Sequence, residues 1–321
     1  MKLKLSSFLP LIGILLFAFI IWSIGLEELI IVFQSVEWFW FLPLILFSFI
    51  GIIFKTIKWQ AFIKVLGEKY SFKQALGVWF AGFFIGVVTP GKIGEAVRAA
   101  YLKKDLKLET GKGLITVALD RIFDVVFLFL IVLLGLIAFS FYVDFPQTIV
   151  VTLIILFITL LAVLVILSKQ SLVTFFFKPL YRFVPKKFKP KISKTYNDFY
   201  SGFRLIRKKK IVLLKASVLT IIAWFVTFLA FYFAFLMLNI DISIALVLMI
   251  VPTIILLEAL PISFSGIGTR DAGLIFFFSF LGITAQLAVA YSLIILFSEV
   301  LFAFIGFLYF SFFKVSFAKK L

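Results

Sequence analysis

Six long apolar runs, each with at most one charged residue, constrain this chain more than any other feature of its sequence. They cover residues 8–25, 39–54, 122–142, 148–167, 211–238 and 286–313. About 20 apolar residues in a helix cross the ~30 Å hydrocarbon core of a bilayer, and the whole chain is 64% hydrophobic and only 15% charged. We therefore predict an all-α polytopic membrane protein with about six full transmembrane helices, in a single transmembrane domain over residues 1–321.

The distribution of lysine and arginine sets the orientation of these spans. Neither residue occurs in the connections 26–37, 143–147, 239–243 and 282–285, whereas the connections 55–73, 103–112 and 169–210 and both termini are basic. Basic connections remain in the cytoplasm. We therefore expect a multi-pass protein of the cell membrane with both termini cytoplasmic. No small-residue cleavage site follows the first run, so we expect that run to be retained as a span.

Two segments do not fit a simple crossing. Residues 74–101 begin and end at basic connections, and residues 242–281 begin and end at connections without Lys or Arg. Each contains a Pro/Gly cluster that breaks a helix, at residues 89–95 and 261–271. Broken backbone is tolerated at membrane depth only inside protein or beside a watery cavity, so we predict two re-entrant helical hairpins. The alternative is two ordinary hairpins with tight loops at the surface.

The two predicted hairpins enter from opposite sides, which suggests an inverted repeat. Inverted repeats with interrupted helices are typical of transporters, where the substrate site lies at the place where the broken helices meet. The sequence identity between the halves is slight, so the repeat remains a hypothesis at this stage.

Several ionisable residues lie within these apolar segments, where charge is costly and needs a partner or a cavity. Asp120 and Asp124 share a helix face with Arg121 beside it, near the cytoplasmic end of the third run. They either tune a site or neutralise one another. Glu258 and Glu299 are solitary and need basic partners, for which Arg98, Arg121 and Arg270 are the candidates.

Arg98 and Arg270 suit a phosphate group, because a guanidinium offers a planar fork of donors and broken helix ends add backbone N–H groups. We expect these two arginines to meet near the membrane midplane and hold one lipid phosphate. Glu95 and Asp271 would orient the two guanidinium groups. The alternative for each arginine is an internal salt bridge without a ligand.

Absent residue types exclude several kinds of chemistry. The chain has no cysteine and no histidine, which removes disulfides, thiolates and the commonest general base. Residues 86–92 match seven positions of a Walker A loop, but Ile93 stands where Mg²⁺ coordination needs Ser or Thr. We predict neither nucleotide binding nor any other cofactor or metal.

Three motifs resemble those of a known family. The sequence TPGKIGEAVR at 89–98 resembles the T-P-G-[RK]-x-G-E-x-x-R signature of the lysylphosphatidylglycerol synthase transmembrane-region family of flippase-like membrane proteins. DRIFD at 120–124 resembles its E-R-x-x-D, with Asp in place of Glu. PISFSGIGTRD at 261–271 resembles its P-x-S…G-G-x-G-x-R-E, with Ser265 and Asp271 as departures. The match covers nearly the whole chain and extends to the flippase domain of multiple peptide resistance factor proteins.

The resemblance implies translocation of an anionic or phosphate-bearing lipid, either an anionic phospholipid or a polyprenyl-phosphate lipid. Movement would be passive or coupled to an ion gradient, with Glu258, Glu299 and Asp124 as candidate proton carriers. The residues expected to bind the lipid are Thr89, Pro90, Gly91, Lys92, Gly94, Glu95, Arg98, Asp120, Arg121, Asp124, Glu258, Ser265, Gly266, Gly268, Arg270, Asp271 and Glu299.

Two other functions remain open. One is an enzyme that modifies lipid headgroups, although no aminoacyl-transferase domain is expected after Leu321. The other is a non-catalytic membrane partner of a separately encoded glycosyl- or aminoacyl-transferase. We expect translocation rather than enzymatic activity.

The basic connection 169–210 contains thirteen Lys/Arg and one acidic residue, with aromatic residues between them. Such a segment is typical of a cytoplasmic loop on anionic headgroups rather than of a nucleic-acid-binding segment.

A synthetic peptide of residues 169–210 should bind anionic vesicles and lose affinity as salt is added, because each lysine near an anionic surface contributes about 1 kcal/mol. Vesicle co-sedimentation measures this. Equal binding to neutral vesicles would show that hydrophobic contact, not charge, holds the segment. The lysines concerned are Lys186, Lys187, Lys189, Lys191 and Lys194.

Overall fold

The computed structural model describes residues 9–139, 147–182, 184–260 and 263–313, and within these ranges it contains helices and no β-strand. The all-α prediction is confirmed. The helices are α1 (Leu9–Ile24), α2 (Leu26–Gln34), α3 (Phe41–Val65), α4 (Phe72–Val87), α5 (Val97–Leu106), α6 (Thr110–Phe139), α7 (Gln147–Ser168), α8 (Gln170–Tyr181), α9 (Lys189–Lys208), α10 (Lys210–Met237), α11 (Ile244–Glu258), α12 (Thr269–Ser279) and α13 (Ala285–Phe312), with 3-10 segments at Trp38–Trp40, Pro90–Ala96 and Lys186–Phe188.

Long apolar helices make this a multi-pass membrane protein. Within the described residues, α3 with its preceding turn, α6, α10 and α13 are long and apolar enough to cross a bilayer, and α1 with α2 adds a fifth if the pair, bent by 79°, counts as one span. The remaining predicted span coincides with α7, which has 22 residues. Large apolar side chains such as Leu134 and Phe304 are exposed on the outer surface, as lipid-facing residues are.

The first predicted hairpin is formed by α4, the broken segment Pro90–Ala96 and α5. Its two ends lie side by side, because the Tyr70 hydroxyl before α4 donates to Asp105 Oδ2 near the end of α5 at 2.6 Å. Both ends also lie at the C-terminal end of α13, where the rings of Tyr101 and Tyr309 are 6.1 Å apart. The chain therefore returns to the end of the bundle from which it entered.

The second predicted hairpin consists of α11, the tip at residues 259–268 and α12, with Pro261 and Ile262 outside the described residues. Phe278 at the end of α12 packs on Phe235 at the end of α10, with ring centres 5.6 Å apart, and α11 begins seven residues after α10 ends. Tyr291, near the start of α13, also contacts Phe235, at 4.4 Å. Both ends of this hairpin therefore lie at the N-terminal end of α13.

The two hairpins thus approach each other from opposite ends of α13. Their tips meet beside Glu299, the fifteenth of the 28 residues of this helix: Lys92 of the first tip and Ser265 of the second both contact its carboxylate, at 3.6 and 3.0 Å. A helix of this length spans about 42 Å, so the tips lie at the mid-height of a transmembrane helix. This arrangement agrees with re-entrant hairpins and not with loops at the surface.

The helices pack as an inverted repeat requires. Helices α3 to α6 correspond to α10 to α13: α4 packs along α13, α11 packs along α6, and α3 runs along α10. The α3–α10 pair is antiparallel, since Trp40 stacks on Phe233 and Lys55 lies over Trp224. Both hairpins also begin with a serine cap, as the Ser71 and Ser243 side chains accept backbone N–H bonds three residues on.

Two boundaries differ from the sequence prediction. Helix α3 continues to Val65, so Lys55 and Lys58 belong to the helix and not to the predicted connection 55–73. Helix α6 begins at Thr110, which places residues 120–124 in its middle rather than near the end of a span. The described part of the basic connection 169–210 contains α8, the 3-10 segment Lys186–Phe188, α9 and the first residue of α10. Most of the connection 143–147 and both chain termini lie outside the described residues.

The hairpin model predicts that single cysteines at both ends of the first hairpin are labelled from the same side of the membrane. The variants Lys73→Cys and Lys103→Cys should react with a membrane-impermeant maleimide only in inside-out vesicles, and Asp241→Cys only in right-side-out vesicles. The chain has no native cysteine, so each variant reports one position. Labelling of positions 73 and 103 from opposite sides would contradict the model.

Candidate functional site

Polar residues lie at the same height in the four long helices of the two halves. Lys55 of α3, Asp124 of α6, Trp224 of α10 and Glu299 of α13 are each the fifteenth residue of their helix. The hairpin tips reach this level from both ends, so the chain assembles its internal charges in one central region.

The first-half cluster gathers carboxylates and cations from α3, the first hairpin and α6. Lys58 Nζ lies 2.9 Å from Asp120 and 2.6 Å from Asp124. Arg98 binds Asp120 at 2.9 Å and Glu95 at 3.1 Å. Its guanidinium also lies over the Trp59 ring, 5.0 Å from the centre. Lys58, Asp120 and Arg98 are almost fully buried, so each charge depends on these partners.

Arg121 extends the same cluster toward open space. Its guanidinium contacts Glu95 at 2.8 Å and approaches Asp120 at 3.8 Å and Asp124 at 3.9 Å. About a third of its side chain is exposed, compared with 1% for Arg98. The Trp224 indole N–H donates to Asp124 at 3.1 Å, which ties α10 to the cluster.

The second-half cluster consists of Glu258, Glu299 and Arg270 with Lys92 from the first hairpin. Arg270 lies 3.9 Å from Glu258 and 3.4 Å from Glu299, and its Nε–H donates to Ser292 at 2.9 Å. Lys92 lies 2.6 Å from Glu258 and 3.6 Å from Glu299. Lys92 is therefore the side chain that reaches from the first tip into the second cluster.

Local backbone geometry directs the Lys92 side chain toward the second-half cluster. Lys92 has a left-handed conformation with φ of 54°, which is uncommon for a residue with a side chain. The Thr89 hydroxyl fixes the turn by accepting the Gly94 N–H at 2.9 Å and donating to Ile85 O at 2.8 Å. A Cβ at Gly94 would collide with the Ile85 carbonyl. The turn thus depends on the Thr-Pro-Gly-Lys-x-Gly sequence.

The second tip shows a related arrangement. Ser265 also has a left-handed backbone, with φ of 45°, and its hydroxyl donates to Glu299 at 3.0 Å. Gly266 follows with φ of 77°, and a Cβ there would lie 2.6 Å from the Glu258 side chain. Asp271 Oδ2 accepts the Gly268 N–H at 2.7 Å and so caps the first turn of α12. Each tip therefore presents to Glu299 one polar residue whose backbone is left-handed, Lys92 from the first tip and Ser265 from the second.

A cavity of about 110 Å³ lies between the two clusters. Three cations and three carboxylates line it, together with hydroxyl groups and an aromatic wall. A space of this size holds a few water molecules or a compact polar group. The charged lining residues are Lys55, Lys92, Glu95, Arg121, Glu258 and Glu299, and the aromatic ones are Trp79, Phe83, Trp224, Phe231 and Phe302.

The structure brings most of the predicted site residues to this region but changes several contacts. Arg98 and Arg270 do not meet: among the described residues, each contacts the carboxylates of its own cluster. A nearly buried guanidinium needs its charge compensated, and these carboxylates provide that. Glu95 orients Arg98 as expected. Asp271 does not orient Arg270, because its carboxylate caps α12 instead.

The remaining predicted residues shape the tips. Thr89, Pro90, Gly91 and Gly94 form the first turn, and Gly266 and Gly268 form the second. Of the arginines predicted as partners of Glu258 and Glu299, Arg270 is the one that contacts both. Their second partner, Lys92, was counted among the site residues but not paired with them.

Sequence reasoning missed Lys55 and Lys58. The positive-inside rule assigned them to a cytoplasmic connection because they follow an apolar run of ordinary length. One signal was available: Asp120 and Asp124 form a buried pair that needs two cations, whereas the same motif supplies only Arg121. Two lysines three residues apart share a helix face and fit that need.

Comparisons with known proteins identify relatives of this chain by sequence. The family model described as the lysylphosphatidylglycerol synthase TM region matches residues 10–306. A UPF0104 membrane protein of Methanocaldococcus jannaschii is 25% identical over 306 residues, covering 92% of this chain and 91% of its own. Another from Pyrococcus horikoshii is 26% identical, covering 89% and 90%. A second M. jannaschii protein is 30% identical over 236 residues, 70% of this chain and 93% of its own.

The Lys58→Met variant should lose about 3–5 kcal/mol of stability, because it removes the cation closest to the buried Asp124 and one of the cations bound to Asp120. Unfolding in detergent, followed by tryptophan fluorescence, measures the change. The exposed Lys64 of the same helix provides the control, Lys64→Met. The double variant Lys58→Met/Asp124→Leu should recover part of the loss, since it removes a charge from each side. Equal stability of the Lys58→Met and Lys64→Met proteins would contradict the assignment.

Proposed function

The chain belongs to the lysylphosphatidylglycerol synthase transmembrane-region family, and we propose that it moves a lipid with an anionic, phosphate-bearing headgroup between the two leaflets of a membrane. One observation carries the proposal: the tips of two hairpins that enter from opposite ends meet at one charged cavity, at the mid-height of the long helices. Broken helices around a central site are typical of transporters.

The cations that face the cavity suit a phosphate group. Lys92 and Arg121 have side chains exposed by 21% and 34%, whereas those of Arg98 and Arg270 are exposed by only 1% and 2%. The two exposed cations are therefore available to a ligand, and their hydrogen bonds to phosphate would be charge-assisted. Arg98 and Arg270 act as positioning residues, because they hold the carboxylates against which the exposed cations lie.

Glu95 shows how this positioning works. Its Oε2 lies between Arg98 at 3.1 Å and Arg121 at 2.8 Å. The buried arginine keeps the carboxylate in place, and the carboxylate in turn keeps Arg121 at the cavity. When a phosphate enters, Arg121 can donate to it while Glu95 retains Arg98 as a partner. No charge is then left alone in the protein interior, where an unpaired ion is costly.

Translocation requires movement of the hairpins, and we attribute this movement to loss of the contact between Lys92 and Glu258. It joins the first hairpin tip to the last residue of α11 at 2.6 Å. When Lys92 donates hydrogen bonds to a bound phosphate, its contact with Glu258 weakens. Either hairpin is then free to move back toward the membrane surface from which it enters. Each withdrawal exposes the cavity to one leaflet, which is alternating access around a fixed site. The lipid tails remain beside the apolar outer surface and need no polar path.

The same charge pattern supports an orientation in the cell membrane with both termini cytoplasmic. The ends of the first hairpin carry Lys73, Lys103 and Lys104 at the C-terminal end of α13. The opposite end of the bundle carries acidic connections, which include Glu37 and Asp241. Basic ends remain cytoplasmic, so the first hairpin enters from the cytoplasm and the second from outside.

The Lys92→Gln variant should translocate an anionic lipid at least about tenfold more slowly than the unmodified protein, because a charge-assisted hydrogen bond contributes roughly 1.5–3 kcal/mol. Proteoliposomes with a fluorescent phosphatidylglycerol and dithionite quenching of the outer leaflet measure this. The control is Lys107→Gln: Lys107 has the same φ of 54° but lies on the surface at the end of α5.

Both variants must elute as monodisperse proteins before the rates are compared. If Lys92→Gln moves lipid as fast as Lys107→Gln, the phosphate site does not lie at the hairpin tips and the proposal is wrong.

A further inference from the structure

Lys55 differs from every other cation in the two clusters. Its Nζ lies 3.7 Å from the centre of the Trp224 ring. Among the described residues, no carboxylate oxygen lies within 4.0 Å of this ammonium group, whereas Lys58, Lys92, Arg98, Arg121 and Arg270 all have one. An aromatic face attracts a cation but does not neutralise it.

The carboxylates of the region are already committed. Asp124 is bound by Lys58 and by the Trp224 indole, and Glu95 by Arg98 and Arg121. Asp120 lies with Lys58 and Arg98, and the acidic pair Glu258 and Glu299 with Lys92 and Arg270, as described above. Asp271 caps α12, where the partial positive charge of the helix N-terminus offsets part of its own, and it is not among the residues that line the cavity.

The ion-paired network therefore contains six cations and five carboxylates once Lys55 is included. Lys55 lines the same cavity as Lys92 and Arg121, so the surplus positive charge faces the space that a ligand would occupy. An interior of low dielectric penalises net charge of either sign. A ligand with one net negative charge neutralises this network, a dianion leaves it negative, and a ligand without net charge leaves the charge of Lys55 uncompensated.

We propose that Lys55 is the residue that selects the lipid by net charge, and that the cavity takes a headgroup with a single net negative charge, a phosphodiester with an otherwise neutral substituent. The inference rests on the lipid-phosphate site proposed above. Lys92 and Arg121 would donate hydrogen bonds to the phosphate while keeping their carboxylates, and Lys55 would supply a charge that forms no salt bridge among the described residues.

Short-chain lipids titrated into the detergent-purified protein test this by isothermal calorimetry at pH 7. The probes are dihexanoyl-phosphatidylglycerol with one negative charge, dihexanoyl-phosphatidylcholine with none, and dihexanoyl-phosphatidic acid, whose second phosphate proton dissociates near pH 6. We expect phosphatidylglycerol to bind at least about tenfold more tightly than either of the others, as one charge-assisted contact implies. Glycerophosphoglycerol, the same headgroup without chains, separates a lipid from a free phosphodiester.

The variant Lys55→Met keeps an apolar side chain over Trp224 and removes the charge. It should lose the preference for phosphatidylglycerol over phosphatidylcholine, whereas Lys64→Met should keep it. A merely structural lysine would change stability without changing this ratio. The charge series on the unmodified protein stands even if Lys55→Met does not fold.

Each result has a definite meaning. A preference for the singly charged lipid that depends on Lys55 supports the inference. Binding that is indifferent to net charge, or a preference that Lys55→Met retains, overturns the role of Lys55 but leaves the lipid site. Equal binding of glycerophosphoglycerol overturns the lipid as ligand. No binding of any probe overturns the proposed site together with this inference.

Discussion

The cost of an uncompensated charge inside a membrane protein governs this structure. An ion moved from water into a low-dielectric interior loses several kcal/mol even after relaxation, and the chain places such ions at the mid-height of its long helices. Lys58, Asp120 and Arg98 are almost entirely hidden from solvent. They are stable there only because helices from distant parts of the sequence deliver their partners. The arrangement of α3, α6 and both hairpins follows from this requirement.

Two short hairpins that enter from opposite ends bring charged partners to the buried ions. A full crossing would carry the Pro/Gly clusters past the middle of the membrane, whereas a hairpin turns there and exposes its broken backbone only to protein and to the cavity. The exchange of partners between the halves, α4 with α13 and α11 with α6, then fixes the two tips relative to each other. The contact of Lys92 with Glu258 is one of the places where the two halves contact each other at the site itself.

Much of this architecture could be predicted from the sequence. Long apolar runs with at most one charged residue located the long helices, and the Lys/Arg pattern on either side of residues 74–101 and 242–281 identified the hairpins, since these signals depend on local composition. The pairing of charges could not be predicted, because it depends on which helices are neighbours. Lys55 and Lys58 looked like the start of a cytoplasmic connection, Arg98 and Arg270 looked like partners, and Asp271 looked like a ligand of Arg270 rather than a helix cap. Each of these errors concerns a contact between residues whose separation only the fold determines, or a choice between two equally plausible local bonds.

The antiparallel pairing of α3 with α10 has a consequence for how the protein is made. If the two halves are oppositely oriented copies of one design, the second half must be inserted the other way up, although its own apolar helices carry little information about direction. The segment that joins the halves, residues 169–210, carries thirteen basic residues and is held together by α8 and α9. During synthesis its charge would keep it on the cytoplasmic side and so decide the direction in which α10 enters. The basic segment then determines the membrane topology of the chain that follows it, in addition to any affinity it has for lipid.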